Sequence, residues 1–137
     1  MIEVENWLIP FVGYRAMTIW PFLFVRDDLM VGMRPVDYNH ECIHGWQQIE
    51  MLLVALVIAA VMAIFGCGWW SLAALPLFFY WYLVEWIVRL FVNGSTAYRN
   101  VSFEQEAYLH ERDAEYPYER KPFAWLGYLF CSTYKKK

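Results

Sequence analysis

The apolar residues of the chain are concentrated in two long runs. Every residue from Met51 to Phe65 is apolar, and the run from Trp69 to Val84 is interrupted only by Ser71 and Pro76. Apolar runs of this length without charged residues are typical of membrane-spanning helices, and Gly66-Cys67-Gly68 between them indicates a turn. The pattern predicts a two-helix transmembrane hairpin. A buried hairpin in a soluble oligomer is the alternative.

A different pattern precedes the hairpin. Ala16 to Val25 is rich in β-branched and aromatic residues, Arg26-Asp27-Asp28 follows, and an apolar stretch resumes from Leu29 to Arg34. This order predicts a strand, a turn and a second strand, and Pro21 makes the first of them an edge strand. The aromatic residues, Trp7 among them, also fit a segment that lies on the membrane surface.

The segment after the hairpin changes from apolar to charged. The spacing of Phe103 and Ala107 predicts a helix packed on one side, with Ser102 as its cap. The chain is therefore expected to be mainly α: a membrane-associated helical bundle with the hairpin and a short N-terminal β-hairpin-like segment. One domain, 1–137, would comprise a strand or interfacial segment (1–34), a helix running into the first hydrophobic helix (36–65), the second hydrophobic helix (69–92), the charged helix (101–116) and an interfacial tail (117–137).

Composition and charge support a membrane location. Of 137 residues, 60% are hydrophobic, against about 45 to 50% apolar residues in ordinary soluble domains. All 11 Lys and Arg residues lie outside Met51 to Val84, so the positive-inside rule places both termini in the cytoplasm. A net charge of −3 does not favour a nucleic-acid partner. The three separated cysteines predict neither a disulfide framework nor a thiolate metal site.

The candidate chemistry begins at His40-Glu41-Cys42-Ile43-His44, which has the form H-E-x-x-H. On a helix, His40 and His44 project from one face and can bind the same metal ion, while Glu41 on an adjacent face can act as a base. Zn²⁺ is the expected ion, because this pair of imidazoles is a common zinc arrangement that needs one further protein ligand. The helix would place the motif near the cytoplasmic surface of the membrane.

The further ligand is expected in Ser102-Phe103-Glu104-Gln105-Glu106-Ala107-Tyr108. Glu104 shares a helix face with the small residue Ala107, which permits close approach of two helices. Glu106 points about 160° away on that helix and is the alternative ligand. The sequence therefore predicts a split zinc site with His40, His44 and Glu104 as its metal ligands.

These motifs, in this order around two hydrophobic helices, resemble membrane-embedded gluzincin metallopeptidases of the HtpX-like and CAAX-prenyl-protease-like group. The resemblance implies that His40 and His44 bind zinc, that Glu41 is the catalytic base and that Glu104, the first glutamate of an E-x-x-A-D pattern, is the third ligand. Tyr108 stands where that pattern has its Asp. The strings H-E-x-x-H-x-x-Q-Q and F-E-x-E-A-Y are also similar to those of small Bacteroidetes membrane proteins, a likeness that implies a bacterial inner membrane as the bilayer.

The motifs and the resemblance together predict a zinc-dependent hydrolase, specifically a metallopeptidase acting on a peptide or a membrane protein. The alternative is a catalytically silent gluzincin-like protein for metal binding or membrane assembly, since 137 residues leave little room for a substrate domain. A chain this small could also complete its site as a homo-oligomer. Candidate donors to the oxyanion of the transition state are four side chains: Tyr98, Arg99, Tyr108 and His110.

Overall fold

The structure is a computed structural model that describes residues 1–6, 15–26 and 33–134. It is mainly helical, with a small three-stranded sheet at the N-terminus. Its strands are β1 (Ile2–Asn6), β2 (Ala16–Ile19) and β3 (Phe22–Arg26), and its α-helices are α1 (Pro35–Ile64), α2 (Leu77–Asn93), α3 (Ser102–His110) and α4 (Tyr116–Glu119). Short 3-10 helices cover Gly68–Ala74, Gly94–Thr96, Tyr98–Asn100 and Ala124–Tyr128.

The sheet has the order β1-β3-β2, with β1 parallel and β2 antiparallel to β3. The stretch predicted as one strand, Ala16 to Val25, is therefore itself a hairpin. Its turn lies at Trp20 and Pro21. Pro21 has no backbone N–H, and in a turn this removes no hydrogen bond between the two strands. Of the predicted turn at Arg26-Asp27-Asp28, Arg26 is the last residue of β3, and the other two residues lie outside the described part of the chain, as does most of the predicted second strand, Leu29 to Arg34.

The first long helix joins the metal motif to the first apolar run without a break. α1 has 30 residues and begins at Pro35, a residue whose fixed φ suits the first turn. Asp37 in that turn pairs with Arg34, with the Arg34 Nε donating to Asp37 Oδ2 at 2.8 Å. At about 1.5 Å per residue, the 20 residues from His44 to Ile64 extend about 30 Å beyond the motif.

The second apolar run is divided rather than continuous. After the turn at Gly66 and Gly68, both with positive φ, a 3-10 helix (Gly68–Ala74) precedes α2, and the two are bent by 55°. Pro76 lies at the break, where it cannot donate a helical hydrogen bond. Within the described residues, α1 is long and apolar enough to span a membrane, and this bent pair is a second candidate if it is taken as one span.

A small aromatic core joins the three main helices next to the metal motif. It contains Met51 of α1, Phe78 of α2, and Val101 and Phe103 at the start of α3, covered by Trp125. The ring of Phe103 lies 4.6 Å from those of both Phe78 and Trp125. Since Glu104 is the next residue after Phe103, this packing fixes where the third candidate ligand emerges.

Candidate metal centre

Three side chains from two helices converge on one point. His40 and His44 lie one turn apart on α1, and Glu104 lies in the first turn of α3. The Nε2 atoms of the two histidines are 3.1 Å apart. His40 Nε2 lies 3.5 Å from Glu104 Oε2, and His44 Nε2 lies 3.4 Å from Glu104 Oε1. All three side chains are about nine-tenths buried or more. His40, His44 and Glu104 form a group that could hold a metal ion, here called the metal group.

The spacing of these atoms fits a tetrahedral zinc site. With metal to ligand distances of about 2.1 Å, two ligand atoms of a tetrahedron lie about 3.4 Å apart. Glu104 Oε2 is buried and accepts no hydrogen bond from any described residue. Burial favours the neutral acid, but the charge of His44 and the contact with both imidazoles outweigh it and hold the pKa of Glu104 well below its usual value. The group therefore offers an anionic oxygen beside two imidazoles.

Two side chains of α2 position the helix that carries Glu104. Glu85 accepts hydrogen bonds from the Ser102 backbone N–H at 2.8 Å and from its hydroxyl at 2.6 Å, so a carboxylate from another helix caps the start of α3. Tyr82 donates from its hydroxyl to Glu104 Oε1 at 3.0 Å. Arg89 lies 3.4 Å from Glu85, the ion pair expected from their i, i+4 spacing. Glu104, the third candidate ligand, is thus supported by side chains of α2.

The outer nitrogen of each imidazole also has a partner. His40 Nδ1 lies 3.0 Å from Glu111 Oε2, and His44 Nδ1 lies 2.8 Å from Gln47 Oε1. Both partners can accept an N–H from Nδ1, so Nε2, the nitrogen of each ring that faces Glu104, is the one left for a metal ion. Asn39 supports this end of α3 by donating to the backbone carbonyls of three residues: His110, Glu111 and Asp113.

Sequence reasoning missed Glu111. The family pattern places an Asp at position 108, where this chain has Tyr108, whose ring packs edge-on against that of His40 at 4.7 Å between centroids. Glu111 lies almost one turn further along and supplies a carboxylate to the same histidine. Because position 108 is not acidic, the sequence indicated that another nearby acid could contact the histidine, but it did not indicate which one.

The alternative ligand, Glu106, faces the opposite side of α3. Arg120 donates to Glu106 Oε1 at 2.8 Å, and the hydroxyl of Tyr116 donates to the same oxygen at 3.1 Å. Glu50 of α1 shares Arg120, so the two carboxylates and the guanidinium form a buried cluster. The structure therefore groups Glu104, and not Glu106, with the two histidines.

A cavity of about 740 Å³ opens beside the three residues, and Glu41 lies on its wall. The polar part of the wall contains the motif and the edge of β2, whereas one face of α2 supplies an apolar wall. Among the described residues, no lysine or arginine lines it. The lining residues are Ala16, Met17, Thr18, His40, Glu41, His44, Gln48, Phe78, Phe79, Tyr82, Leu83, Trp86, Tyr98 and Glu104.

Of the four candidate oxyanion donors, Tyr98 lines this cavity. Tyr108 packs on His40, and burial together with the nearby charge of Glu104 raises the pKa of Tyr108 to about 12. Arg99 lies 5.3 Å above the Tyr108 ring, and His110 lies 2.9 Å from the hydroxyl of Tyr128. The four residues thus occupy different places around the metal group.

No family model, no curated protein and no solved structure matches the chain. What characterises the chain is therefore the arrangement of its own residues. A buried group of two histidines and one glutamate, in the order H-E-x-x-H and then E, could hold a metal ion. Among the described residues, which are mainly helical, it is accompanied by one long apolar helix.

Proposed function

We propose that the protein is a zinc-dependent, membrane-associated metallopeptidase. The observation that carries the proposal is the convergence of His40, His44 and Glu104, with ligand atoms within 4.8 Å of one another, on a cavity that also contains Glu41. A metal group with a neighbouring carboxylate and adjoining space for a substrate has the components needed for metal-assisted hydrolysis.

Each residue then has a defined role. His40, His44 and Glu104 hold the ion, which when bound supplies a Lewis acid that polarises a carbonyl and makes water more acidic. Glu41 accepts a proton from the attacking water as the oxygen of that water bonds to the carbonyl carbon. The carbon to nitrogen bond breaks as Glu41 passes that proton to the leaving amine. Of the four candidate donors to the developing oxyanion, Tyr98 is the one that lines the cavity.

The edge of the sheet supports a peptide as the substrate. β2 is an edge strand, and Ala16, Met17 and Thr18 border the cavity. An extended peptide can add to such an edge through main-chain hydrogen bonds. Gln48 already occupies part of the edge, because its Nε2 donates to Thr18 O at 2.7 Å and its Oε1 accepts from Trp20 N at 2.8 Å. A bound peptide would therefore pair from Ala16 toward Thr18 and end at Gln48.

The long apolar helix supports a membrane location. α1 carries the histidines in its first turns and exposed apolar residues near its other end, such as Leu53, Val57 and Val61. Lipid is the partner that best covers such a surface. We therefore place the site near the cytoplasmic surface of a bacterial inner membrane, where a peptide or a membrane protein can reach it.

The test measures zinc and hydrolysis separately. Wild type and Glu41→Gln are purified in detergent, and their zinc content and their cleavage of a quenched fluorescent peptide of neutral, apolar sequence are compared. Glu41→Gln is expected to keep zinc and to lose about 10² to 10⁴-fold in turnover, because it removes the base but no ligand. Glu119→Gln, an exposed glutamate on α4, serves as the control.

Two results would overturn the proposal in different ways. Zinc retained by the wild type with no cleavage, in this peptide and in a panel of membrane-protein substrates, would favour the catalytically silent metal-binding protein. Zinc absent from the wild type after incubation with Zn²⁺ would remove the metal centre itself. Cleavage that survives in Glu41→Gln would assign the base to another residue.

A further inference from the structure

A buried amide holds the second histidine ring from behind. Gln47 is fully buried, and its Oε1 lies 2.8 Å from His44 Nδ1. Its Nε2 donates to the Phe103 carbonyl at 3.1 Å and to Glu106 Oε2 at 3.0 Å. A carbonyl and a carboxylate only accept hydrogen bonds, so the NH₂ group of Gln47 must face them. The opposite orientation would place an amide oxygen against two acceptors.

Glu106 is fixed as an acceptor by its other neighbours. Arg120 donates to both of its oxygens, at 2.8 Å from Nε to Oε1 and at 3.2 Å from Nη2 to Oε2. The hydroxyl of Tyr116 adds a further bond to Oε1 at 3.1 Å. Glu106 is fully buried in this environment. The Glu106 carboxylate is thus held by Tyr116 and Arg120. It can accept a hydrogen bond from Gln47 but cannot donate one.

We infer that Glu106 is a positioning residue for His44, on which it acts through Gln47. Because Glu106 sets the direction of the Gln47 amide, the oxygen of that amide faces His44 Nδ1 and requires an N–H there. His44 Nε2, which faces Glu104, is then the nitrogen left for a metal ion. The inference rests on the proposed metal site. Glu106 would support His44 through the Gln47 amide, as Glu111 supports His40 directly.

The decisive variant is Glu106→Gln, because a glutamine at this position can donate as well as accept, and of the two acceptors that fix the Gln47 amide only the Phe103 carbonyl then remains. Its matched control is Glu50→Gln, which removes a carboxylate from the same Arg120 but does not touch Gln47. Gln47→Met removes the amide while leaving the ion pair of Glu106 with Arg120 in place. Metal-free proteins are titrated with Zn²⁺ against a competing chelator, and their unfolding midpoints are compared.

We expect Glu106→Gln and Gln47→Met to raise the zinc dissociation constant by about 10 to 100-fold, the usual effect of losing a partner behind a histidine ligand. Glu50→Gln should bind zinc as the wild type does. Unchanged zinc affinity in Glu106→Gln would overturn the inference. If Glu106→Gln does not fold, Gln47→Met carries the same test, since it cuts the link between Glu106 and His44.

A second readout follows the ring without any metal. The chain has 3 histidines, so the NMR spectrum of protein labelled with ¹⁵N-histidine contains few signals. The Nδ1–H proton of His44 should exchange slowly with water in the wild type and in Glu50→Gln, and faster in Glu106→Gln and Gln47→Met. Equal exchange in all four would overturn the inference. A wild type that protects this proton yet binds no zinc would overturn the proposed function alone.

Discussion

At the residue scale, Glu104 is the side chain on which the metal group depends most. It is the one residue of the group that comes from outside the H-E-x-x-H helix, and it supplies the negative charge. We expect Glu104→Ala to lower zinc affinity by more than about 100-fold, beyond the loss typical of a residue that only supports a ligand. Chelator competition measures the change, with Glu119→Ala as the control. Wild-type affinity in Glu104→Ala would exclude it as a ligand.

Glu111 has a smaller, indirect effect at the same scale. Its carboxylate lies 3.0 Å from His40 Nδ1 and orients a ring that already faces the group. Glu111→Ala should weaken zinc binding by about 10 to 100-fold, and Glu111→Gln, which keeps an acceptor, should weaken it less. The exposed Glu115→Ala is the matched control. A loss as large in Glu111→Gln as in Glu111→Ala would show that charge, and not ring orientation, is what Glu111 contributes.

At the element scale, the features set by local spacing were predictable. The four-residue interval between His40 and His44 and the apolar run from Met51 predicted a helix that continues from the motif, and α1 is such a helix. The pairing of Glu104 with Ala107 on one face of a helix likewise favoured Glu104 over Glu106, and the structure groups Glu104 with the histidines. Helical periodicity fixes these relations within one element, whatever the rest of the chain does.

Features that depend on contacts between elements could not be predicted in this way. Ser102 was expected to cap its own helix, but its N–H and hydroxyl are both taken by Glu85, a residue of α2. The parallel pairing of β1 with β3 gives no local signal, because it joins residues about 20 positions apart. The role of Glu111 depends on how far α3 runs past His40. Each of these is decided by tertiary packing.

The cap on α3 gives a prediction about stability. Glu85→Ala removes the acceptor of two buried donors on Ser102 and leaves Arg89 without its partner on the same helix. The free energy of unfolding should fall by about 1.5 to 3 kcal/mol, the usual contribution of a hydrogen bond to a charged group. Denaturant titration in mixed micelles measures it. Ser102→Ala, which loses only the hydroxyl bond, should cost less; an equal or larger cost would contradict the capping role.

At the scale of the whole molecule, the metal group and the turn after α1 lie at opposite ends of α1. The metal group and its supporting carboxylates surround the first turns of α1, whereas the turn after α1 exposes large apolar side chains, including Phe65, Trp69 and Trp70. Trp69 is 86% exposed and Trp70 is 78% exposed. Backbone groups in the turn bond internally, as in the bond from Gly66 N to Ala63 O at 3.0 Å.

This separation predicts a topology that cysteine labelling can check. From Trp46 to Ile64, α1 rises about 27 Å, close to the roughly 30 Å of a hydrocarbon core, so the turn should reach the far side of the membrane. In a Cys42→Ser background, a membrane-impermeant maleimide added outside intact cells should label Cys67 and not Cys131, both of which are exposed. Opening the cells should make Cys131 reactive. Labelling of Cys131 from outside would invert the orientation, and a Cys67 protected from both sides would mean that the hairpin ends within the bilayer.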